Sequence, residues 1–236
     1  MQAMCSKKHL AWRFIIALFV PALFCAVDEF ESARLRMIRE DIEARGIRNT
    51  LVLEAMRSIP RHLFVPAPYR FMAYADHPLP IGYGQTISQP YVVAIMTELL
   101  DPQPANRVLE VGTGSGYQAA VLARIVKEVY TVEIVPELAR GAAEVLKQLG
   151  YGNVFVREGD GYKGWPERAP FDRIILTAAP QQVPKALTDQ LKAGGKLVAP
   201  VGEGLQQLVV IEKHNDGSLE SRASIPVRFV PMVPGR

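Results

Sequence analysis

Cysteine is nearly absent: of 236 residues only Cys5 and Cys25 carry a thiol, and both fall in the first 25. The body of the chain is thereby excluded from intradomain disulfides, thiolate nucleophiles and cysteine–metal centres. Histidine is sparse as well. His62, His77 and His214 stand far apart with no metal-ligand spacing, so no metal is expected. Acidic residues are missing from the first 27 positions, which hold Lys7, Lys8 and Arg13. Taking those three from the 27 basic residues leaves 24 against 24 acidic ones from Asp28 onward. A body with no net charge gives a polyanion no electrostatic hold, and nucleic acid is not an expected partner. Repeats and low-complexity segments are lacking too.

A long apolar run occurs in one place. Lys7-Lys8-His9 precede Phe14 to Val27, interrupted only by Pro21, in the order of the basic and hydrophobic regions of a signal peptide. The run is short for a membrane span, and Phe24 is too bulky for a lipobox before Cys25. Residues 1–27 therefore read either as a leader for export or tethering, or as an over-extended start, with Met37 a candidate true beginning.

What is present has a clear order. The length suits one domain with modest additions. From Ser32 to Ser58 charged residues alternate with Leu35, Ile38, Ile42, Leu51, Val52 and Ala55 at helical spacing, and Gly46 separates two helices. Pro60 to Gly84, rich in proline, glycine and aromatics, reads as an irregular packed connector. Ser88-Gln89-Pro90 opens a helix to Leu100, with Ser88 suited as N-cap and Pro90 tolerated in the first turn.

Beyond Asp101-Pro102 apolar strand-like runs recur: Arg107–Val111, Val129–Glu133, Val154–Arg157, Arg173–Thr177 and Lys196–Val201. Helices are expected between most of them, over Tyr117–Val126, Pro136–Leu149 and Val183–Leu191. Continuously apolar strands alternating with helices imply a parallel sheet covered on both faces. Leu208–Lys213 and Ser221–Val230 flank Asn215-Asp216-Gly217 and are expected to complete it as an antiparallel pair. The fold class is therefore α/β, doubly wound and mostly parallel, with an N-terminal helical addition. Residues 28–100 form that addition and 101–236 the core.

The chemistry centres on Glu110-Val111-Gly112-Thr113-Gly114-Ser115-Gly116-Tyr117. Glycines after a buried strand let the turn take positive φ and its backbone approach a ligand closely. A tight turn of an α/β fold with no ligand is the alternative reading. The spacing is G-x-G-x-G, and Tyr117 stands where the dinucleotide fingerprint needs glycine. Glu133 ends the next strand, 21 residues after Gly112, where a carboxylate can accept from both ribose hydroxyls; an exposed strand-end carboxylate is the alternative. Asp160-Gly161 follow the third strand, while Gly152 and Asn153 read as turn residues. After the fourth strand stands Thr177-Ala178-Ala179-Pro180. It has neither the carboxamide nor the aromatic ring that would hold an amine, so a nitrogen nucleophile is disfavoured as the reacting group. A carboxylate is already anionic at neutral pH and needs only orientation.

These residues resemble a family. Glu110-x-Gly112-x-Gly114-x-Gly116 resembles the first motif of the seven-stranded, Rossmann-like S-adenosylmethionine methyltransferases. Ile81-Gly82-Tyr83-Gly84-Gln85-Thr86-Ile87-Ser88-Gln89-Pro90 is more specific and resembles the signature of the protein-L-isoaspartate O-methyltransferases. Pro60-Arg61-His62-Leu63-Phe64-Val65-Pro66, Gly159-Asp160-Gly161, Thr177–Pro180 and Val227-Arg228-Phe229-Val230-Pro231 fit the same pattern. The resemblance spans Ile38 to Val233.

It implies methyl esterification, by S-adenosylmethionine, of the free α-carboxyl group of L-isoaspartyl residues in damaged proteins. Ser88 would be the active-site residue, holding the carboxylate with help from amides at a helix start; a plain N-cap is the other reading. Thr86, Ile87, Glu110, Gly112, Thr113, Gly114, Ser115, Gly116, Glu133, Ile134, Asp160, Gly161 and Thr177 would hold the donor, with Glu110 beside its cationic half and Asp160 at the adenine. Gln85, Val227 and Arg228 would meet substrate, although Gln85 and Arg228 equally suit loop bracing. Isoaspartyl proteins and peptides are the expected partners, with no stable membrane partner, and a monomer is expected. The donor is made in the cytosol, which favours a cytoplasmic enzyme over a periplasmic or membrane-tethered one. The rivals are a methyltransferase for small molecules or RNA, a nicotinamide-dependent oxidoreductase permitted by Glu133, and a non-catalytic exported protein keeping only the fold.

Overall fold

A computed structural model of the chain describes residues 29–235. The leader with its two cysteines lies outside the described residues. Helix α1 (Glu29–Arg36) continues through a π-helical turn, Met37–Ile42, and a 3-10 turn, Glu43–Arg45, to Gly46 at φ 97°. The extra residue in the π turn keeps Met37, Ile38 and Ile42 buried. Helix α2 (Thr50–Ser58) follows, capped by the Asn49 side chain, which accepts from the amides of Leu51 and Val52 at 3.0 and 3.3 Å. The expected break at Gly46 is therefore present.

The connector differs from expectation. It ends in a hairpin, β1 (Leu79–Gly82) with β2 (Gln85–Ile87), that pairs Leu79 with Ile87 and Gly82 with Gln85. Gly82, Tyr83 and Gly84 all take positive φ, 93°, 54° and 71°, a turn that two glycines make affordable. Strands this short, one containing Pro80, leave no periodic trace. The hairpin runs directly into α3 (Pro90–Leu100).

The core is a seven-stranded sheet. Its elements are β3 (Arg107–Val111), α4 (Tyr117–Ala123), β4 (Glu128–Glu133), α5 (Pro136–Gln148), β5 (Val154–Glu158), β6 (Phe171–Leu176), α6 (Lys185–Gln190), β7 (Leu191–Val201), β8 (Gln206–Lys213) and β9 (Leu219–Val227). The order is β5-β4-β3-β6-β7-β8-β9, with β3 to β7 parallel and the β7–β8 and β8–β9 pairs antiparallel. Successive side chains of β3 enter opposite cores. Val108 packs with α2, α3 and α4, whereas Leu109 packs with Tyr130, Phe171 and Leu187. Both faces are thus covered, which is why these strands lack polar alternation.

Chain order reverses across β3 and β6, since β4 and β5 lie on one side and β6 and β7 on the other. A crevice opens at the carboxyl ends of strands at such a point. The loops after β3, β4 and β6 converge there. Among the described residues no helix is long and apolar enough to cross a membrane.

Candidate active site

The turn after β3 is fixed from both sides. Gly112, Gly114 and Gly116 take φ of 102°, 53° and 86°. A Cβ at Gly112 would collide with the Thr177 hydroxyl, which donates to the Gly112 carbonyl at 2.5 Å. Gly116 has a different duty: a Cβ there would press on Ala142 and Leu146 of α5 at 3.3 and 3.2 Å. It brings α4 close to α5 and does not line the crevice.

Glu133 closes the loop. It is 5% exposed, and its carboxylate accepts from the Gly114 amide at 2.8 Å and the Val135 amide at 3.0 Å. It is no exposed strand-end carboxylate. Each oxygen retains a lone pair for a further donor.

Around these groups lies an open cavity of about 880 Å³. Thr86, Ile87, Gly112, Thr113, Gly114, Ser115, Glu133, Ile134, Gly161 and Thr177 all line it. Besides Gly116, two expected donor residues do not. Glu110 is wholly buried beneath the loop, where one oxygen accepts from the Thr131 hydroxyl at 2.6 Å and the other has no partner. Thr131 in turn meets Thr113 at 2.7 Å. Burial pushes the Glu110 carboxyl up to about 8, against the donation from Thr131. Its expected place beside the donor's charge is corrected to one underneath the turn. Asp160 instead turns inward to accept from the Tyr162 amide at 2.9 Å, capping a 3-10 turn, Gly161–Lys163. Asp160 does not line this cavity.

A second cavity, about 1070 Å³, adjoins the first. Val227 and Arg228 line it as expected, with Arg45, Tyr91 and Phe229. Gln85 does not; it belongs to the first cavity's wall. Thr86, Ser88, Thr177 and Val230 line both. Ser88 precedes α3 by more than expected: Gln89 is the N-cap residue, without a side-chain cap bond. The amide of Tyr91 is taken by Asp76 at 2.9 Å, and Asp76 also accepts from the Gln89 side chain and from Arg45, each at 2.7 Å. The plain-cap reading of Ser88 and the free helix-start amide beside it both give way to Asp76.

Several lining residues were not foreseen. Tyr117, Val135, Met232 and Val233 face the first cavity. The tail after β9 is held against the end of β6, with the Ala179 amide donating to Val230 at 2.9 Å and Met232 to Ala179 at 2.8 Å. A Cβ at Gly161 would collide first with Val111 at the end of β3 and also press on Met232 at 3.2 Å, so that glycine lets the loop after β5 sit against β3 beside the tail. The apolar stretch Val230 to Val233 was the available signal, but only tertiary folding returns it to the crevice.

The chemistry of the walls discriminates between ligands. Glu133 is the single charged residue lining the first cavity, beside Ile87, Val93, Val132 and Val135. With no cation to meet a pyrophosphate, this is a poor dinucleotide site and a fitting one for a cationic sulfonium nucleoside. The second cavity has the opposite sign, its charged lining residues being Arg45 and Arg228. Among the described residues no group of His, Cys, Asp or Glu gathers to hold a metal ion.

Comparison with known proteins agrees. The sequence model described as protein-L-isoaspartate(D-aspartate) O-methyltransferase matches residues 32–236. A protein-L-isoaspartate O-methyltransferase of Synechococcus sp. (strain JA-2-3B'a(2-13)) is 54% identical over 216 residues, 88% of each chain. Protein-L-isoaspartate O-methyltransferase 2 of Syntrophobacter fumaroxidans is 52% identical over 91% of each. Among solved structures, a protein-L-isoaspartate O-methyltransferase superposes with TM-score 0.75 at 29% identity, over 84% of this chain and 65% of that longer one. A Plasmodium falciparum chain of similar description, crystallised with S-adenosyl-L-homocysteine, gives TM-score 0.74 at 25% identity over 85% and 98% of the two chains. The chain belongs to the protein-L-isoaspartate(D-aspartate) O-methyltransferase family.

Proposed function

We propose that the chain methylates the free α-carboxyl group of L-isoaspartyl residues at Ser88, where the two cavities meet. The single observation that carries this assignment is the shared wall: Thr86, Ser88, Thr177 and Val230 each face both spaces. A donor held by the glycine turn and an acceptor held by the β9 tail can approach each other only across that boundary.

S-adenosylmethionine, when bound, supplies an electrophilic methyl group on a cationic sulfur. The Gly112–Ser115 backbone and Glu133 would hold the nucleoside, with Ile87, Ile134 and Thr177 beside it and Gln85 on the same wall. Among the described residues the Ser88 hydroxyl has no hydrogen-bond partner, and it stands half-buried at the boundary, available to donate to an acceptor carboxylate. Orientation is the main task, because a carboxylate attacks without a general base. Val227 and Arg228 would hold the peptide, the one through its backbone and the other through charge. Reading backbone more than side chains suits an enzyme that recognises a damaged linkage in many sequences.

The carboxylate oxygen gains the methyl group and the sulfur keeps the bonding pair, leaving an uncharged thioether. The following backbone nitrogen then displaces methanol from the ester and closes a succinimide. Its hydrolysis returns part of the chain to the normal aspartyl linkage without further catalysis.

The test is transfer of labelled methyl to paired isoaspartyl and aspartyl peptides, with labelling of the isoaspartyl member expected. Equal labelling of both would end the assignment. Replacing Ser88 by Ala should depress turnover while leaving S-adenosyl-L-homocysteine affinity within about threefold of wild type, as for a group acting on the acceptor. Lost affinity with intact turnover at saturation would remove Ser88 from this role.

A further inference from the structure

Among the described residues Arg61 is the largest wholly buried side chain, at 0% exposure, and no carboxylate lies in contact with it. A buried guanidinium without a counter-ion is costly, so its position requires a compensating arrangement. Its Nε donates to the Ala73 carbonyl at 2.8 Å, and its Nη2 donates to the carbonyl of Ser88 at 2.7 Å. The guanidinium carbon lies 4.7 Å from the centroid of the Tyr117 ring, and Tyr117 lines the donor cavity. Nη1 and the Tyr117 hydroxyl are both buried without a hydrogen-bond partner. Burial draws the Arg61 pKa down to about 10, which leaves the group charged at neutral pH. Asp76 acts on it only through space, so a positive charge with no carboxylate in contact is fixed directly behind Ser88.

We infer that Arg61 is a positioning residue that sets the Ser88 carbonyl and makes the Ser88 end of the groove electropositive, so that the site selects an anionic acceptor over a neutral one. This rests on the reading that Ser88 receives the acceptor carboxylate. Two physical effects combine. The charge-assisted bond to Ser88 holds the peptide unit from which the hydroxyl projects. In a low-dielectric interior this charge also acts further than an exposed one would. Arg45 does not duplicate this, because its own charge is paired with Asp76 at 2.7 Å.

The experiment compares binding of two peptides to the full chain with S-adenosyl-L-homocysteine present, so that no turnover occurs. One carries the isoaspartyl α-carboxylate and the other the α-carboxamide at the same position. In the wild type the carboxylate peptide should bind more tightly. Arg61→Met should narrow that preference by on the order of tenfold and lower kcat/KM by 10- to 100-fold, roughly the worth of a charge-assisted bond. An unchanged preference in Arg61→Met overturns the inference. If Arg61→Met does not fold, Arg61→Lys decides alone. Retained carboxylate preference with kcat/KM lowered about tenfold supports it, whereas wild-type kcat/KM or a lost preference overturns it. A wild-type protein that binds donor yet fails to methylate the isoaspartyl peptide would instead refute the assignment of function.

Discussion

Glu133 accepts the amide of Gly114 at 2.8 Å, so the residue that ends β4 holds the middle of the turn that ends β3. The bond shapes the donor cavity, and the same carboxylate faces a bound nucleoside. Glu133→Gln should weaken S-adenosyl-L-homocysteine binding by about 10- to 100-fold, the value of a hydrogen bond to a charged group. Calorimetric titration measures it; a change under twofold would mean that the carboxylate serves only the turn.

Gly112→Ala places a Cβ against the Thr177 hydroxyl at a backbone φ of 102°. Strain of this kind costs on the order of 1–3 kcal/mol. A lowered melting temperature and severely impaired donor binding are expected. Gly46→Ala is the control, since its φ is 97° but nothing lies within 4 Å of the added atom. It should lose stability alone. Equal loss of donor binding in both variants would show that the close approach at Thr177 is irrelevant.

Glu110 gives a pH dependence. Its folded value, pushed up to about 8, lies above the ordinary 4.5. Between those values the folded state holds a proton that the unfolded state has released. Stability from this group is therefore fully present below the ordinary value and falls as pH rises toward 8, by about 1.4 kcal/mol per pH unit at most. Glu110→Gln, which cannot ionise, should become progressively more stable relative to wild type from pH 5 to 8. A stability difference independent of pH, measured by urea unfolding, would refute a neutral Glu110.

Asp76 joins the connector to α3, accepting from the Tyr91 amide, the Gln89 side chain and Arg45. Asp76→Ala removes the only side chain bonding that amide and should cost about 1–2 kcal/mol, like loss of a helix cap. Because Arg45, Gln89 and Tyr91 line the second cavity, peptide KM should rise more than donor Kd. Steady-state kinetics with each substrate varied in turn separates the two. Equal changes would confine Asp76 to stability.

The limits of the sequence fall at identifiable residues. Strands β3 to β7 and helices α4 and α5 are legible because both sheet faces are buried, α4 follows directly from the glycine turn and is buried all round, and α5 is amphipathic. Their ends lie within a few residues of expectation, although β7 begins at Leu191 and β9 ends at Val227. The β1–β2 hairpin escapes because its strands have four and three residues. In the site, Gly112, Glu133 and Thr177 are legible from their positions at strand ends. That Glu110 and Asp160 do not line the cavity is not legible, because a strand-end carboxylate can point into a crevice or beneath it, and side-chain direction depends on neighbours far along the chain.

The sequence alone determined the sheet class, the glycine turn, the carboxylate one strand further on and the signature around Ser88, since each is written in residues close together in the chain. Only the tertiary structure decided that the C-terminal tail and Ser88 form the boundary of one crevice, that Asp76 takes the start of α3, and that Arg61 stands behind Ser88 with no carboxylate in contact. Those relations join residues 15 positions apart for Asp76 and Tyr91, 27 for Arg61 and Ser88, and 142 (230 − 88) for Ser88 and Val230. They arise from how burial forces polar groups to find partners, which no local pattern records.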